Sequence, residues 1–156
     1  MKTKNFKTLT AITAFAIFFC AINAVWICVQ SHSIYNEKNN FLTFTKEPHF
    51  IYTAVFYGRL IFIPLYNGLL ITFLVKQLVA IKKGILFPRA NIALLFLTAT
   101  CYFIGNFFTD NIALLYFENN PIVIHDTTII YTLLFIIFAI IYNIAVKVSE
   151  ENYLTI

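Results

Sequence analysis

From Leu9 to Val29 the chain carries no charged side chain, and comparable apolar runs cover about 51–79, 91–117 and 128–146. A helix of roughly 20 apolar residues crosses the hydrocarbon core of a bilayer, about 30 Å thick, with its backbone hydrogen bonds satisfied internally. The predicted fold class is therefore all-α, an integral membrane four-helix bundle forming one membrane domain over 1–156 with a tail over 147–156. Composition agrees: 60% of residues are hydrophobic and 12% charged, against about one-quarter charged in soluble domains. Four spans fill nearly the whole length, which leaves no room for a separate catalytic or DNA-binding domain.

Lys2, Lys4 and Lys7 before the first run also fit the start of a secretory signal, with Ala24 before a cleavage site. The run is longer than a signal's apolar core, and Ile22 is a poor residue three places before such a cut. Phe19 before Cys20 likewise argues against a lipoprotein signal, so the first helix is expected to stay. Lys and Arg are retained on the cytoplasmic side. Lys2, Lys4, Lys7, Lys76, Lys82, Lys83, Arg89 and Lys147 fall on one side, and only Lys38 and Lys46 on the other. Both termini are thus expected in the cytoplasm of a bacterial cell.

Helices in lipid associate through close packing of small residues, because lipid tails are as apolar as Leu. Ala16, Cys20, Ala24 and Cys28 recur every fourth residue in the first span, as do Cys101, Gly105, Thr109 and Ala113 in the third. Ala54 and Gly58 form a shorter pair in the second. The first and third helices are expected to meet along their small faces, with the cysteines as packing residues. No Cys-x-x-Cys pair suggests redox exchange. Pro64, followed by Asn67 and Gly68, predicts a kink in the second span.

Arg59 and Asp110 are charges placed inside spans, where each costs several kcal/mol unless paired or hydrated. They lie about 12 Å and about 10 Å below the same membrane face. A buried ion pair is expected between them, extended by Asn106 and Asn67 into a polar seam. His32, His49 and His125 lie on the outer side near Glu37, Glu47, Glu118 and Asp126, without ligand spacing, so no metal site is expected. Asp126, Thr127 or Thr128 is suited to capping the fourth helix. No P-loop, nucleophile elbow, zinc motif or dinucleotide turn occurs. The expectation is a non-enzymatic protein without cofactor and without direct nucleic-acid binding.

Ile81-Lys82-Lys83-Gly84-Ile85-Leu86-Phe87 joins spans two and three, and the chain ends Ser149-Glu150-Glu151-Asn152-Tyr153-Leu154-Thr155-Ile156. With four spans, this resembles the small bacterial membrane proteins of domain of unknown function 2975, which carry a Gly-x-x-Phe turn and an ending like Glu-Glu-Asn-Asp-Leu-Thr-Ile. Tyr153 and Pro88 depart from that pattern. The resemblance implies a membrane partner for a small helix-turn-helix transcription factor, because such proteins are often encoded together. Glu150 and Glu151 followed by Leu154 and Ile156 have the form of a docking peptide, charge for steering and apolar anchors for binding. The leading expectation is a sensor or regulatory partner in the cell membrane, in contact with lipid and able to form homo-oligomers. The alternatives are an immunity or resistance protein that binds a membrane-active peptide or toxic small molecule, and a small transporter subunit.

Overall fold

The computed structural model describes the backbone of residues 2–41, 50–115 and 121–154, and the side chains of 7–30, 50, 53–114 and 121–151. Within them lie α1 (Lys2–Phe41), α2 (Phe50–Lys82), α3 (Ala90–Asp110), a 3₁₀ turn (Ile112–Leu115) and α4 (Asp126–Leu154). All four α-helices are long and apolar enough to cross a membrane. Most of them overrun the apolar sequence that announced them. α1 has 40 residues, about 60 Å at 1.5 Å per residue, twice the hydrocarbon thickness. An apolar run marks what lipid requires, whereas a helix continues until something stops it. The expected loop from Gln30 is therefore helical as far as Phe41, and the expected tail from Lys147 is helical as far as Leu154.

α2 stays one helix through Pro64. It stops at Gly84, whose φ of 81° is open to glycine without strain. Ile85 N–H bonds to Ala80 O and Gly84 N–H to Ile81 O, closing the helix in a Schellman motif. α3 ends seven residues before the predicted boundary at 117, because Asn111 turns the chain into the 3₁₀ segment.

Contacts follow chain order: α1 lies on α2, α2 on α3 and α3 on α4. The α2–α3 contact is close because glycine permits it. A Cβ on Gly105 would lie 3.0 Å from Ile63 Cγ1 and 3.3 Å from the backbone of Phe62 and Ile63, and one on Gly58 would collide with the ring of Phe108. Among the described residues α1 and α3 form no packed interface, contrary to expectation; the small face of each turns to α2.

A four-residue repeat drifts about 40° per step on a helix of 3.6 residues per turn. Ala16, Cys20 and Ala24 are accordingly half-buried, while Cys28 has rotated outward and Ile27 is buried in its place. On α3, Cys101 and Gly105 are buried and Thr109 is half-buried. Ala113 lies beyond the helix in the 3₁₀ turn.

Phe73 of α2, Leu95 of α3 and Ala139, Tyr142 and Val146 of α4 form the core cluster. The seam of α4 runs Thr128, Thr132, Phe135, Ala139, Tyr142, Val146, alternating steps of four and three. Large apolar side chains elsewhere stand exposed, Phe15, Phe18 and Trp26 on α1 among them, as a lipid-facing surface requires. Thr13, Thr72, Thr98, Thr100, Thr109 and Thr132 each bond the carbonyl four residues back. This satisfies each hydroxyl without leaving its own helix.

Overpacking the close contact with Gly105→Ile should destabilise the protein by about 1–3 kcal/mol. Nothing lies within 4 Å of a Cβ at Gly68, so Gly68→Ala should be neutral or stabilising. Unfolding titrations in mixed micelles check both.

Candidate functional site

The polar side chains of α2, α3 and α4 that bond from one element to another gather towards the two ends of the helices. The loop end is where α2 and α4 begin; the opposite, terminal end is where α2 stops and α3 begins.

At the loop end, Asp110 and Asn111 close α3 and hold the start of α4. Asp110 Oδ2 accepts the Thr128 hydroxyl at 2.7 Å and the His125 N–H at 3.1 Å. His125 O accepts the first helical N–H groups of α4, from Thr128 and Ile129. The carboxylate therefore sits at the N-terminus of α4, where unpaired N–H groups and the helix dipole favour negative charge. Asp126, Thr127 or Thr128 was expected to cap α4 from within. Thr128 instead donates its hydroxyl to Asp110 of α3.

Asn111 binds the backbone of Val123 as a neighbouring strand would. Its Nδ2 donates to Val123 O at 2.7 Å and its Oδ1 accepts Val123 N–H at 2.8 Å, while Nδ2 also reaches Phe107 O at 2.7 Å. Asn111 is 2% exposed. Leaving these groups without partners in an apolar surround would cost more than any one contact gains.

Arg59 is also buried, at 7% exposure, but its Nη2 donates to Gln30 Oε1 of α1 at 3.0 Å. The expected Arg59–Asp110 ion pair is not among the contacts of the described residues, although the two charges lie at similar heights along the helices. The Gly58–Phe108 contact sets the register of the antiparallel pair, which places the two charges within about one helical turn along the axis. Direction separates them. Asp110 is two residues past Phe108, about 200° around α3, so when Phe108 faces α2 the carboxylate faces α4. Arg59 is on the side of α2 that meets α1.

The proposed seam divides as well. Asn67 and Asn106 each donate to a carbonyl of their own helix, Ile63 O and Tyr102 O. Between them the middle of the stack is aromatic, with Tyr102 edge-on to Tyr66 at 5.3 Å and tilted against Phe135 at 5.3 Å.

The terminal end has a polar junction that the apolar pattern of the sequence does not announce. Gln77 Oε1 of α2 accepts from Tyr142 Oη of α4 at 2.7 Å and from Asn91 Nδ2 of α3 at 3.0 Å. Gln77 Nε2 donates to Leu86 O, and the Phe87 ring stands edge-on to Tyr142 at 5.6 Å. One amide thus ties three helices and the 83–89 turn together. Asn91 Oδ1 is fully buried and accepts no hydrogen bond among the described residues. The available signal was the presence of amides, Gln77 and Asn91, at the ends of apolar runs.

Glu150 and Glu151 are exposed on the last turns of α4. Leu154 lies on the same helix, with its side chain outside the described residues. Ile156, His49, Glu47, Glu118 and the 42–49 segment lie outside them entirely, and His32 and Glu37 are described only as backbone of α1. His125 and Asp126 are exposed. Among the described residues no group of three or more His, Cys, Asp or Glu side chains could hold a metal ion, and Cys20, Cys28 and Cys101 are free thiols.

Double-mutant cycles separate the two arrangements of charge. Asp110→Ala with Thr128→Val should show coupling of about 0.5–1.7 kcal/mol, the range for hydrogen bonds between membrane helices. Asp110→Ala with Arg59→Gln should show none. At the other end, Gln77→Leu removes the partner of three groups and should cost about 1–3 kcal/mol, more than Tyr142→Phe at about 0.5–1.5 kcal/mol. Both are measured by unfolding in mixed micelles.

Comparison of the chain with family models, with curated proteins and with solved structures found no match.

Proposed function

We propose that the chain is a four-span protein of a bacterial cell membrane, with both termini in the cytoplasm, acting without catalysis as the sensor or regulatory partner of a small helix-turn-helix transcription factor. The orientation rests on the asymmetry of Lys and Arg. The partner rests on the resemblance to domain of unknown function 2975. The observation that carries the reading is α4, which runs unbroken from Asp126 to Leu154, 29 residues or about 43 Å. Its first turn is held by Asp110, and its last turns carry Glu150 and Glu151. A change at the loop-end clamp therefore has a continuous route to the cytoplasmic end, and the tail offers the regulator a helix rather than an extended peptide.

Arg59 and Asp110 face different helices, which weighs against one charged path for transport and against one charged seam for binding a toxic molecule. Immunity and transport remain the alternatives that the test below separates from regulation.

The test is affinity recovery of the tagged protein from mildly solubilised membranes, comparing the full chain with one ending at Lys147. The expected outcome is a small DNA-binding protein recovered with the full chain only, while the shortened protein keeps its helical circular dichroism. Recovery of the protein alone from both would overturn the reading.

A further inference from the structure

The turn that joins α2 to α3 sets apolar side chains between cations. Lys82 and Lys83 precede Ile85-Leu86-Phe87 and Arg89 follows it, all of them exposed at the terminal end of the fold. Ile85 is 48% and Leu86 57% exposed. The three cations make no ion pair among the described residues, and the first turn of α3 carries no acidic residue. Retention of Lys and Arg on one side of a membrane accounts for the charges. It does not account for large apolar side chains held out between them.

The turn is fixed in this form from within. Gln77 Nε2 donates to Leu86 O, the Phe87 ring stands edge-on to Tyr142, and Pro88 O and Arg89 O accept the N–H groups of Asn91 and Ile92. With its backbone bonded inward, the turn has its Ile85 and Leu86 side chains on the outside. The apolar span of α2 ends at Lys82 and that of α3 begins at Ala90, both at helix ends set by the turn itself. The 82–89 segment therefore stands where hydrocarbon gives way to headgroups.

We propose that the 82–89 turn is a docking surface for anionic phospholipid, with Lys82, Lys83 and Arg89 on the headgroup phosphates and Ile85 and Leu86 at the acyl boundary beneath them. Interfacial segments combine these two residue types for a physical reason: apolar burial holds the element at the boundary, and its cations select anionic headgroups. A soluble anion would satisfy only half of the surface, since it meets the cations and leaves Ile85 and Leu86 in water. The inference uses the four spans but neither the tail nor a protein partner, and no regulator is present in its test.

The full chain is purified in a neutral detergent and titrated with palmitoyl-oleoyl phosphatidylglycerol or with the corresponding phosphatidylcholine, and bound lipid is counted by native mass spectrometry. The expected result is a preference for phosphatidylglycerol of at least about fivefold, the attraction of one surface cation to an anionic membrane. The preference should be lost in the triple variant Lys82→Gln, Lys83→Gln, Arg89→Gln and kept in Lys2→Gln, Lys4→Gln, Lys7→Gln, which removes as many charges elsewhere. Leu86→Gln, at an exposed position, should weaken phosphatidylglycerol binding while the cations remain. Circular dichroism selects the variants that stay folded. Equal binding of the two lipids, or a preference that survives in the folded turn variant, would overturn the proposal. Binding that Leu86→Gln leaves unchanged would overturn it as well, because charge alone would then account for the contact.

Discussion

The close approach of α2 to α3 is the contact on which the rest of the arrangement is hung. Gly58 and Gly105 let one helix lie nearly against the backbone of the other, and in a medium where lipid is as apolar as Leu such packing is a main source of association. It uses one face of each helix. α2 then has its opposite side free for α1, and α3 has its opposite side free for α4, while Phe73 and Gln77 of α2 also reach Tyr142 of α4. The small residues of α1 serve the same purpose at a second interface, letting Ala16, Cys20 and Ala24 settle on α2.

Polar groups then decide where these helices are fastened. Within the spans, threonines return their hydroxyls to their own backbones, and Asn67 and Asn106 do the same with their amides. At the ends, backbone groups lack partners within the helix, and there Asp110, Asn111 and Gln77 reach across to other elements. Asp110 as the last residue of α3 is tolerable because α4 begins beside it, supplying a hydroxyl, an N–H and a favourable dipole. Its position fixes where α4 starts, and Asn111 fixes the approach to that start through Val123.

Much of this was legible in the residues. The four spans follow from apolar length, and Gly58 and Gly105 stand at the α2–α3 contact, whereas Cys28 is exposed and Ala113 lies past the end of α3. That Arg59 and Asp110 stand at similar heights followed from counting along the helices. What counting lacked was direction: equal depth brought to mind an ion pair, whereas 200° of rotation between Phe108 and Asp110 sends the carboxylate to another helix. Gln77 and Asn91 escaped notice because neutral amides do not carry the evident cost of a charge, although in an apolar surround they need partners almost as much.

The sequence by itself determined the number of helices, their type and the alternating direction of the chain, because a bilayer demands long apolar segments with internally satisfied backbones. It also determined which residues permit close approach. Only the tertiary structure decided which faces meet. In a soluble helix the polar side identifies the buried one, but α1 and α4 are apolar nearly all the way round, and lipid accepts whatever a neighbour does not cover. The choice of partner was left to the shape of glycine and alanine surfaces and to a few hydrogen bonds at the helix ends, and these acquire their meaning only when two helices are brought together.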